Sequence, residues 1–143
     1  MSSSNQKANG ESALPEPISR EIKDILNRSM SAWNAGDLDG FLGCYERSPA
    51  TCYLSADQIV VGYPAIEAMY AQRFAIGSAA ARGMLSLSLT RVVTLGSDYA
   101  LAIGQYLLSR DGDHGGSGYG VFSLVLRRSA LGWRIAADHT TSV

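Results

Sequence analysis

Residues 84–110, MLSLSLTRVVTLGSDYALAIGQYLLSR, decide the fold because their apolar side chains recur at every second position. Leu85, Leu87 and Leu89 fall on one face of an extended chain, and the small polar residues between them fall on the other, since the side-chain period of a strand is two. The pair Gly96-Ser97 interrupts this pattern as a turn. The stretch therefore predicts two antiparallel strands that share an apolar face.

The alternation continues to the end of the chain. Residues 119–128, YGVFSLVLRR, and residues 133–141 each have the same period of two, so a long antiparallel meander is expected. The loop DGDHGGSG precedes these strands and resembles a phosphate-binding loop in its glycine content. It lacks a following helix and a Lys-Ser/Thr pair, so we interpret it as a flexible hairpin loop with an exposed His114.

The first half of the chain shows helical spacing instead. From Pro17 onward, apolar residues including Ile22, Ile25 and Trp33 recur on one helical face, and Gly36 marks the end of that helix. Asp37 is placed to cap a short second helix, LDGFLGCY, and a third helix follows at YPAIEAMYAQRFAIG. Between the second and third helices, ATCYLS and ADQIVVG predict one short strand, a turn and another short strand.

These elements predict an α+β domain in which three N-terminal helices pack on one face of a curved sheet. The length of 143 residues suits a single domain, which we assign to residues 16–143. Residues 1–15 are polar and contain almost nothing to bury, so we predict a disordered tail there.

Composition excludes several classes of function. The formal charge is −1, and only two of the twelve basic residues are lysines, with the arginines scattered, so neither nucleic acid nor an anionic membrane is an expected partner. No apolar run approaches the roughly 20 residues of a membrane span, and the N-terminus has no apolar core like that of a signal peptide, which predicts a cytoplasmic protein. Cys44 and Cys52 lack metal-ligand spacing, so we expect buried thiols and neither a metal site nor a cofactor.

Five segments in order carry a resemblance to a known family: AWNAGDLDGFLGCY, VVGYPAIEAMYAQRF, LGSDYALAIGQYLL, GVFSLVLRR and GWRIAADHTTS. Together they resemble the nuclear transport factor 2-like superfamily, in particular its SnoaL-like branch, which is related to polyketide cyclases and ketosteroid isomerases. The resemblance implies a cystatin-like cone, in which three helices cover a strongly bent, mixed but mostly antiparallel sheet. It also implies an apolar pocket for a small molecule and a homodimer formed through the outer sheet face.

An enzyme of the isomerase type would need a carboxylate base on the strand between the second and third helices. Tyr53 and Ser55 stand near that position in this sequence, and Asp57 follows in the turn, where it is the candidate for a displaced base. On the last strand, alternation places His139 with Trp133 on the apolar face and Asp138 on the opposite face. His139 is therefore a second candidate base, with a structural role at the strand end as the alternative.

Asp138, by the same alternation, is expected to pair with an arginine across the outer sheet. The candidates are Arg91, Arg110, Arg127 and Arg128.

Aromatic residues from separate elements are expected to converge inside the cone, as core or as ligand contacts. They are Trp33, Tyr53, Tyr70, Phe74, Tyr106 and Phe122. Tyr106 shares its strand face with small residues, which leaves room for a ligand or for a closely packed helix.

Three functions remain open at this point, because fold alone does not determine activity. The first, which we favour, is a dimeric domain that binds a small apolar or ring-shaped metabolite. The second is a cofactor-independent isomerase, cyclase or dehydratase with His139 or Asp57 as the base and Tyr53 or Tyr106 as the donor. The third is an oligomerisation module with a filled cavity.

Overall fold

The computed structural model describes residues 16–143. The tail predicted for residues 1–15 lies outside this range. In chain order the helices and strands are α1 (Glu16–Ala35), α2 (Leu38–Leu42), β1 (Cys52–Leu54), β2 (Ile59–Val61), α3 (Tyr63–Phe74), α4 (Ala79–Arg82), β3 (Met84–Thr94), β4 (Tyr99–Ser109), β5 (Gly118–Ser129) and β6 (Gly132–Ser142).

The strands form one six-stranded sheet in the order β2-β1-β6-β5-β4-β3. The β1–β6 pair is parallel and every other pair is antiparallel, so the predicted mixed, mostly antiparallel sheet is confirmed. The register shifts between Leu89 and Arg91 on β3 and between Val125 and Leu126 on β5. Such irregularities bend a strand and increase its local twist, which gives the sheet its curvature.

The helices pack on the concave face of this sheet. Ile22 and Ile25 of α1 and Ile66 of α3 are almost completely buried there, as the helical spacing of the sequence predicts. The end of α1 is tied to the start of β3, since Trp33 Nε1 donates to the Gly83 carbonyl at 3.1 Å and Asn34 Nδ2 donates to the Leu85 carbonyl at 3.0 Å. These bonds fix the end of α1 against the start of β3.

Two short elements were not anticipated from the sequence. The four-residue helix α4 precedes β3, and Ser78 caps it by accepting a hydrogen bond from the Ala81 amide. A single 3-10 turn, Gly112–His114, lies inside the glycine-rich loop. Neither changes the α+β class of the fold.

A bulge in β6 reverses the expected placement of Asp138 and His139. Val125 pairs with Ala137 and Leu126 pairs with Ile135, so Ala136 has no partner across the strand pair. Trp133 and Ile135 face the core before the bulge, but after it Asp138 is buried and His139 is exposed. Regular alternation predicts the opposite arrangement and is wrong here, because one unpaired residue shifts the pleat by a step.

The expected pairing of Asp138 with an arginine on the outer sheet is wrong for the same reason. Three of the four candidate arginines have other partners: Arg127 Nη1 contacts Glu46 Oε2 at 2.5 Å, Arg128 donates to the Ser97 carbonyl, and Arg110 donates to the Gly116 carbonyl. Asp138 itself points into the cone.

In the part of the chain that the structure describes, no helix has the length and apolar character needed to cross a membrane.

Candidate functional site

A cavity of about 460 Å³ lies inside the cone, between the helices and the concave face of the sheet. Every helix and strand of the cone except α4 and β2 contributes to its wall. Its lining comprises Leu26, Ser29 and Trp33 from α1, Phe41 and Tyr45 from α2 and the loop after it, residues 53 and 55–58, Tyr70 and Arg73 from α3, and Leu85, Leu87, Tyr106, Leu108, Phe122, Leu124, Ile135, Asp138, Thr140 and Ser142 from the sheet. Such a space is typical in size of sites for small molecules.

Five of the six aromatic residues expected in the cone line this cavity; the exception is Phe74. Phe74 packs behind the wall, with its ring centroid 5.1 Å from that of Trp33 and 5.5 Å from that of Phe41. Phe41 in turn lies 4.7 Å from the ring of Tyr70 in an edge-to-face arrangement. The aromatic residues of the helices thus form a contiguous wall, with Phe74 as its support.

Two glycines on the sheet let aromatic rings lie flat across the neighbouring strand. Gly104 pairs with Phe122, and a Cβ atom at Gly104 would stand 2.7 Å from the Phe122 ring and 2.2 Å from the Ser88 carbonyl. Gly120 pairs with Tyr106, and a Cβ there would stand 2.8 Å from the Tyr106 ring. Glycine at these positions therefore makes space for the rings of Phe122 and Tyr106, which are themselves part of the cavity wall on the sheet.

The one buried carboxyl in the cavity lining is that of Asp138, whose residue is only 6% exposed. Tyr45 donates its hydroxyl hydrogen to Oδ2 at 2.6 Å, and Thr140 donates from Oγ1 to Oδ1 at 2.6 Å. The Tyr45 hydroxyl also lies 3.2 Å from the Tyr70 hydroxyl. A continuous chain of polar groups therefore crosses the otherwise apolar interior from α3 to β6.

Burial governs the protonation of this chain. It raises the pKa of the Asp138 carboxyl above its ordinary value, although hydrogen bonds from Thr140 and Tyr45 and the charge of Arg73 act in the opposite direction. Burial likewise raises the pKa of Tyr45 and of Tyr70 well above that of a free tyrosine. Both tyrosines are consequently neutral hydroxyl donors at physiological pH, and Asp138 takes up a proton more readily than a free aspartate does.

Arg73 brings a positive charge to the same cavity. Its guanidinium carbon lies 5.0 Å from the Tyr70 ring centroid and 5.4 Å from that of Tyr53, both within the range of cation-π contacts. Arg73 donates a hydrogen bond from Nη2 to the Met69 sulfur at 3.6 Å, and its side chain is also hydrogen-bonded to that of Tyr53. Among residues 16–143, no carboxylate stands within ion-pair distance of Arg73.

The two candidate bases occupy different places. Asp57 is exposed in the turn between β1 and β2, where it lines the cavity and accepts a hydrogen bond from the Ser55 hydroxyl at 3.0 Å. His139 is exposed on the outer face of β6, 3.3 Å from Thr141 Oγ1, and does not line the cavity. His114 contacts Asp111 within its own loop at 2.7 Å. Across residues 16–143, no three histidine, cysteine or acidic side chains gather as they would around a metal ion.

Sequence reasoning missed three residues of the site: Tyr45, Arg73 and Asp138. Tyr45 is the last residue of the predicted second helix, LDGFLGCY, and nothing in the sequence indicates that its hydroxyl reaches β6. Arg73 stands three residues after Tyr70, and this spacing puts both side chains on one side of α3, which was a usable signal. Asp138 was misplaced because the bulge at Ala136 leaves no mark in the residue pattern.

No family model matches this sequence, and no curated protein matches it. Solved structures do match its fold. A nuclear transport factor 2-like protein of unknown function from Shewanella oneidensis aligns with a TM-score of 0.78 at 23% identity, over 87% of this chain and 98% of that one. A ketosteroid isomerase-like protein from Erwinia carotovora atroseptica aligns with a TM-score of 0.72 at 18% identity, over 91% of this chain and 98% of that one.

A domain with a cystatin-like fold from Nostoc punctiforme aligns with a TM-score of 0.73 at 18% identity, over 91% of this chain and 80% of that one. These likenesses show that the chain has the nuclear transport factor 2-like, cystatin-like fold, as the sequence resemblance implied.

Proposed function

We propose that this domain binds a small, mainly apolar molecule inside the cone and orients it by one polar group at Asp138. The observation that carries this proposal is a buried carboxyl at the wall of an apolar cavity of about 460 Å³. A polar group is costly to bury in such surroundings unless it makes hydrogen bonds, and here Tyr45 and Thr140 supply them. A domain whose interior served only as a core would fill that space with aliphatic side chains.

The chemistry of the wall suits a ligand with a ring-shaped apolar body. Aromatic rings of Trp33 and Phe122 and the aliphatic side chains of β3 contact such a body without directional demands. A carboxyl accepts hydrogen bonds and, when protonated, also donates one, so a hydroxyl or carbonyl group on the ligand is a suitable partner for Asp138. The five segments quoted in the sequence analysis support a place for this protein in the SnoaL-like branch. We further propose that it acts in the cytoplasm.

The test uses naphthylacetamide, an uncharged probe with an aromatic body and one polar group. We expect it to shift the NMR amide signals of cavity residues in a saturable titration. The substitution Leu87→Trp, on the cavity wall, should abolish these shifts because the larger ring fills the space. The same substitution at the exposed Leu95, just beyond β3, is the matched control and should leave binding unchanged. Binding that survives Leu87→Trp at full strength, or shifts scattered over the surface, would refute the cavity as the site.

A second candidate, cofactor-independent proton transfer, is favoured by one specific observation. Asp57 and Asp138 line the same cavity, but Asp57 is exposed while Asp138 is buried and hydrogen-bonded. Carboxyls in such contrasting environments can divide the roles of base and acid. A small β,γ-unsaturated ketone should then isomerise in the presence of the protein, and Asp57→Asn should abolish turnover while leaving binding intact. His139 has no place in this scheme, since it lies on the opposite face of the sheet.

The expected homodimer remains a proposal about the outer sheet face. Leu107 of β4, Tyr119 and Val121 of β5 and the C-terminal Val143 are exposed on this face, and together with polar but uncharged neighbours they line a shallow groove. Such a charge-poor apolar surface suits a second copy of the same chain. Light scattering should give a dimer mass for the parent and a monomer mass for Val121→Glu. Leu131→Glu, at an exposed turn, should remain dimeric, and a monomeric parent would refute the proposal.

A further inference from the structure

We propose that the molecule bound in the cone is an anion, namely a small apolar carboxylate whose charged group is held by Arg73. This inference rests on the proposed binding function and adds the class of ligand to it. It concerns the α3 side of the cavity, where Arg73 shares the wall with Tyr70 and Tyr53.

The first argument is the uncompensated charge. Arg73 is partly buried in the cavity wall, and no carboxylate of residues 16–143 lies within ion-pair distance of it. Burial tends to lower the pKa of Arg73, but the neighbouring Tyr70 and Tyr53 raise it, and the pKa of Arg73 ends above its ordinary value. The guanidinium is thus permanently charged at the edge of an apolar space, where an entering anion would relieve its desolvation.

The second argument is that the guanidinium retains unused donors. Arginine carries five N–H groups in a planar fork that matches a carboxylate. The described hydrogen-bond acceptors of Arg73 are the thioether of Met69, a weak one, at 3.6 Å, and the hydroxyl of Tyr53, which leaves several of the five N–H groups unused. Tyr53 and Tyr70 present their rings to the guanidinium, and neither residue is a carboxylate that could pair with it as an ion pair.

Three other arginines also stack on aromatic rings, but each of them either donates to a backbone carbonyl or is exposed to water. Arg82 lies over the Phe74 ring but donates from Nε to the Trp33 carbonyl at 3.0 Å. Arg128 lies over the Trp133 ring but donates to the Ser97 carbonyl at 2.8 Å. Arg47 lies over the Tyr63 ring at 5.1 Å and is exposed to water. Arg73 alone among these four faces the cavity, and its oxygen partner is a tyrosine hydroxyl, that of Tyr53.

Asp138 does not take the place of the missing anion. It acts on Arg73 only over a distance beyond an ion pair, and its oxygens already accept hydrogen bonds from Tyr45 and Thr140. A bound carboxylate near Arg73 would favour the protonated form of Asp138 further, because like charges in one cavity repel. The cavity thus offers an anionic ligand one cationic fork, at Arg73, while the Asp138 carboxyl lies beyond ion-pair distance of it.

The experiment compares three probes that share a naphthalene body: naphthylacetate, naphthylacetamide and naphthylethylamine. At neutral pH, we expect the parent protein to bind the acetate at least tenfold more tightly than the amide or the amine, which is the scale of one charge-assisted contact. Arg73→Gln should remove this advantage while changing amide affinity by less than about twofold. Arg47→Gln, an arginine stacked on a tyrosine outside the cavity, should change neither affinity. Arg73→Lys keeps the charge without the fork and should retain part of the preference for the acetate. It also tests the proposal if Arg73→Gln fails to fold.

The outcomes separate this inference from the proposed function. Equal binding of acetate and amide, or an acetate preference that persists in Arg73→Gln, overturns the anion assignment and leaves cavity binding intact. A preference for the amine overturns it as well, because Asp138 would then set the charge of the ligand. Failure of all three probes to bind the cavity overturns both proposals.

Discussion

At the scale of single residues, the chemistry of the cavity depends on the protonation state of Asp138. The carboxyl lies away from water, and Tyr45 and Thr140 both donate to it. Burial raises the pKa of Asp138 nonetheless, so the folded protein holds its proton more tightly than the unfolded chain does. Each unit of difference in pKa between the two states corresponds to about 1.4 kcal/mol of stability.

The first prediction concerns Asp138→Asn and pH. With a folded-state pKa above the ordinary 3.8, the contribution of Asp138 to stability is fully present below that value and is lost as pH rises through the raised pKa. The asparagine variant mimics the protonated carboxyl and cannot titrate. Urea unfolding across this range should therefore show the variant gaining stability relative to the parent as pH rises, until the difference levels off. Parallel stability curves would show that the pKa of Asp138 is the same in both states.

Arg73 and Asp138 also show how far residue-level reasoning from the sequence reaches. The chain order put Arg73 three residues after Tyr70 on a helix, and that spacing alone implies a shared face. No comparable rule pointed to Asp138, since its neighbours on both sides fit a regular strand. The face that a side chain occupies on a helix follows directly from its spacing in the sequence. On a strand, that face also depends on whether every earlier residue of the strand is paired.

At the scale of elements, β6 decides which side chains enter the cone. Most helices and strands followed from periodicity, because amphipathic spacing reflects the face that each element buries. The short α4 has too few residues to show a period, and the bulge at Ala136 depends on pairing with β5, which the β6 sequence does not encode on its own. The positions of the strands were therefore predictable, but the faces of the last one were not.

The second prediction tests that bulge with two adjacent residues. Thr140→Val keeps the shape of the side chain but removes the donor to Asp138, so it should destabilise the protein by about 1–3 kcal/mol. His139→Ala, one position earlier on the exposed face, should change the free energy of unfolding by less than about 0.5 kcal/mol and leave probe affinity unaltered. Chemical denaturation of both variants measures the difference. A larger effect at His139 than at Thr140 would mean that β6 is regular.

At the scale of the whole molecule, the helix layer and the sheet are joined around Trp33. Its ring contacts Phe41, Tyr70 and Phe74, and its indole N–H reaches the Gly83 carbonyl before β3. One side chain thus connects α1, α2 and α3 with the entry to the sheet. Trp33 therefore both lines the cavity and holds the helices against the sheet.

The third prediction follows from that position. Trp33→Ala should destabilise the domain by about 3–5 kcal/mol, because it removes a large buried aromatic side chain and leaves the Gly83 carbonyl without its donor. Leu131→Ala, at an exposed turn, is the control and should leave stability nearly unchanged. Thermal or urea unfolding measures both. A midpoint for Trp33→Ala close to that of the parent would show that the helices do not depend on this contact.

The unpaired Ala136 has a consequence for how the interior of such a domain can change. Asp138 and His139 are adjacent in the chain and face opposite sides of the sheet, so a β6 that kept the same residues but paired with β5 without the bulge would turn the imidazole inward and the carboxyl outward. An acidic interior would become a basic one without any amino-acid replacement at the site. The pairing register of a strand, as well as residue identity, is thereby a source of chemical diversity in a cone of this kind.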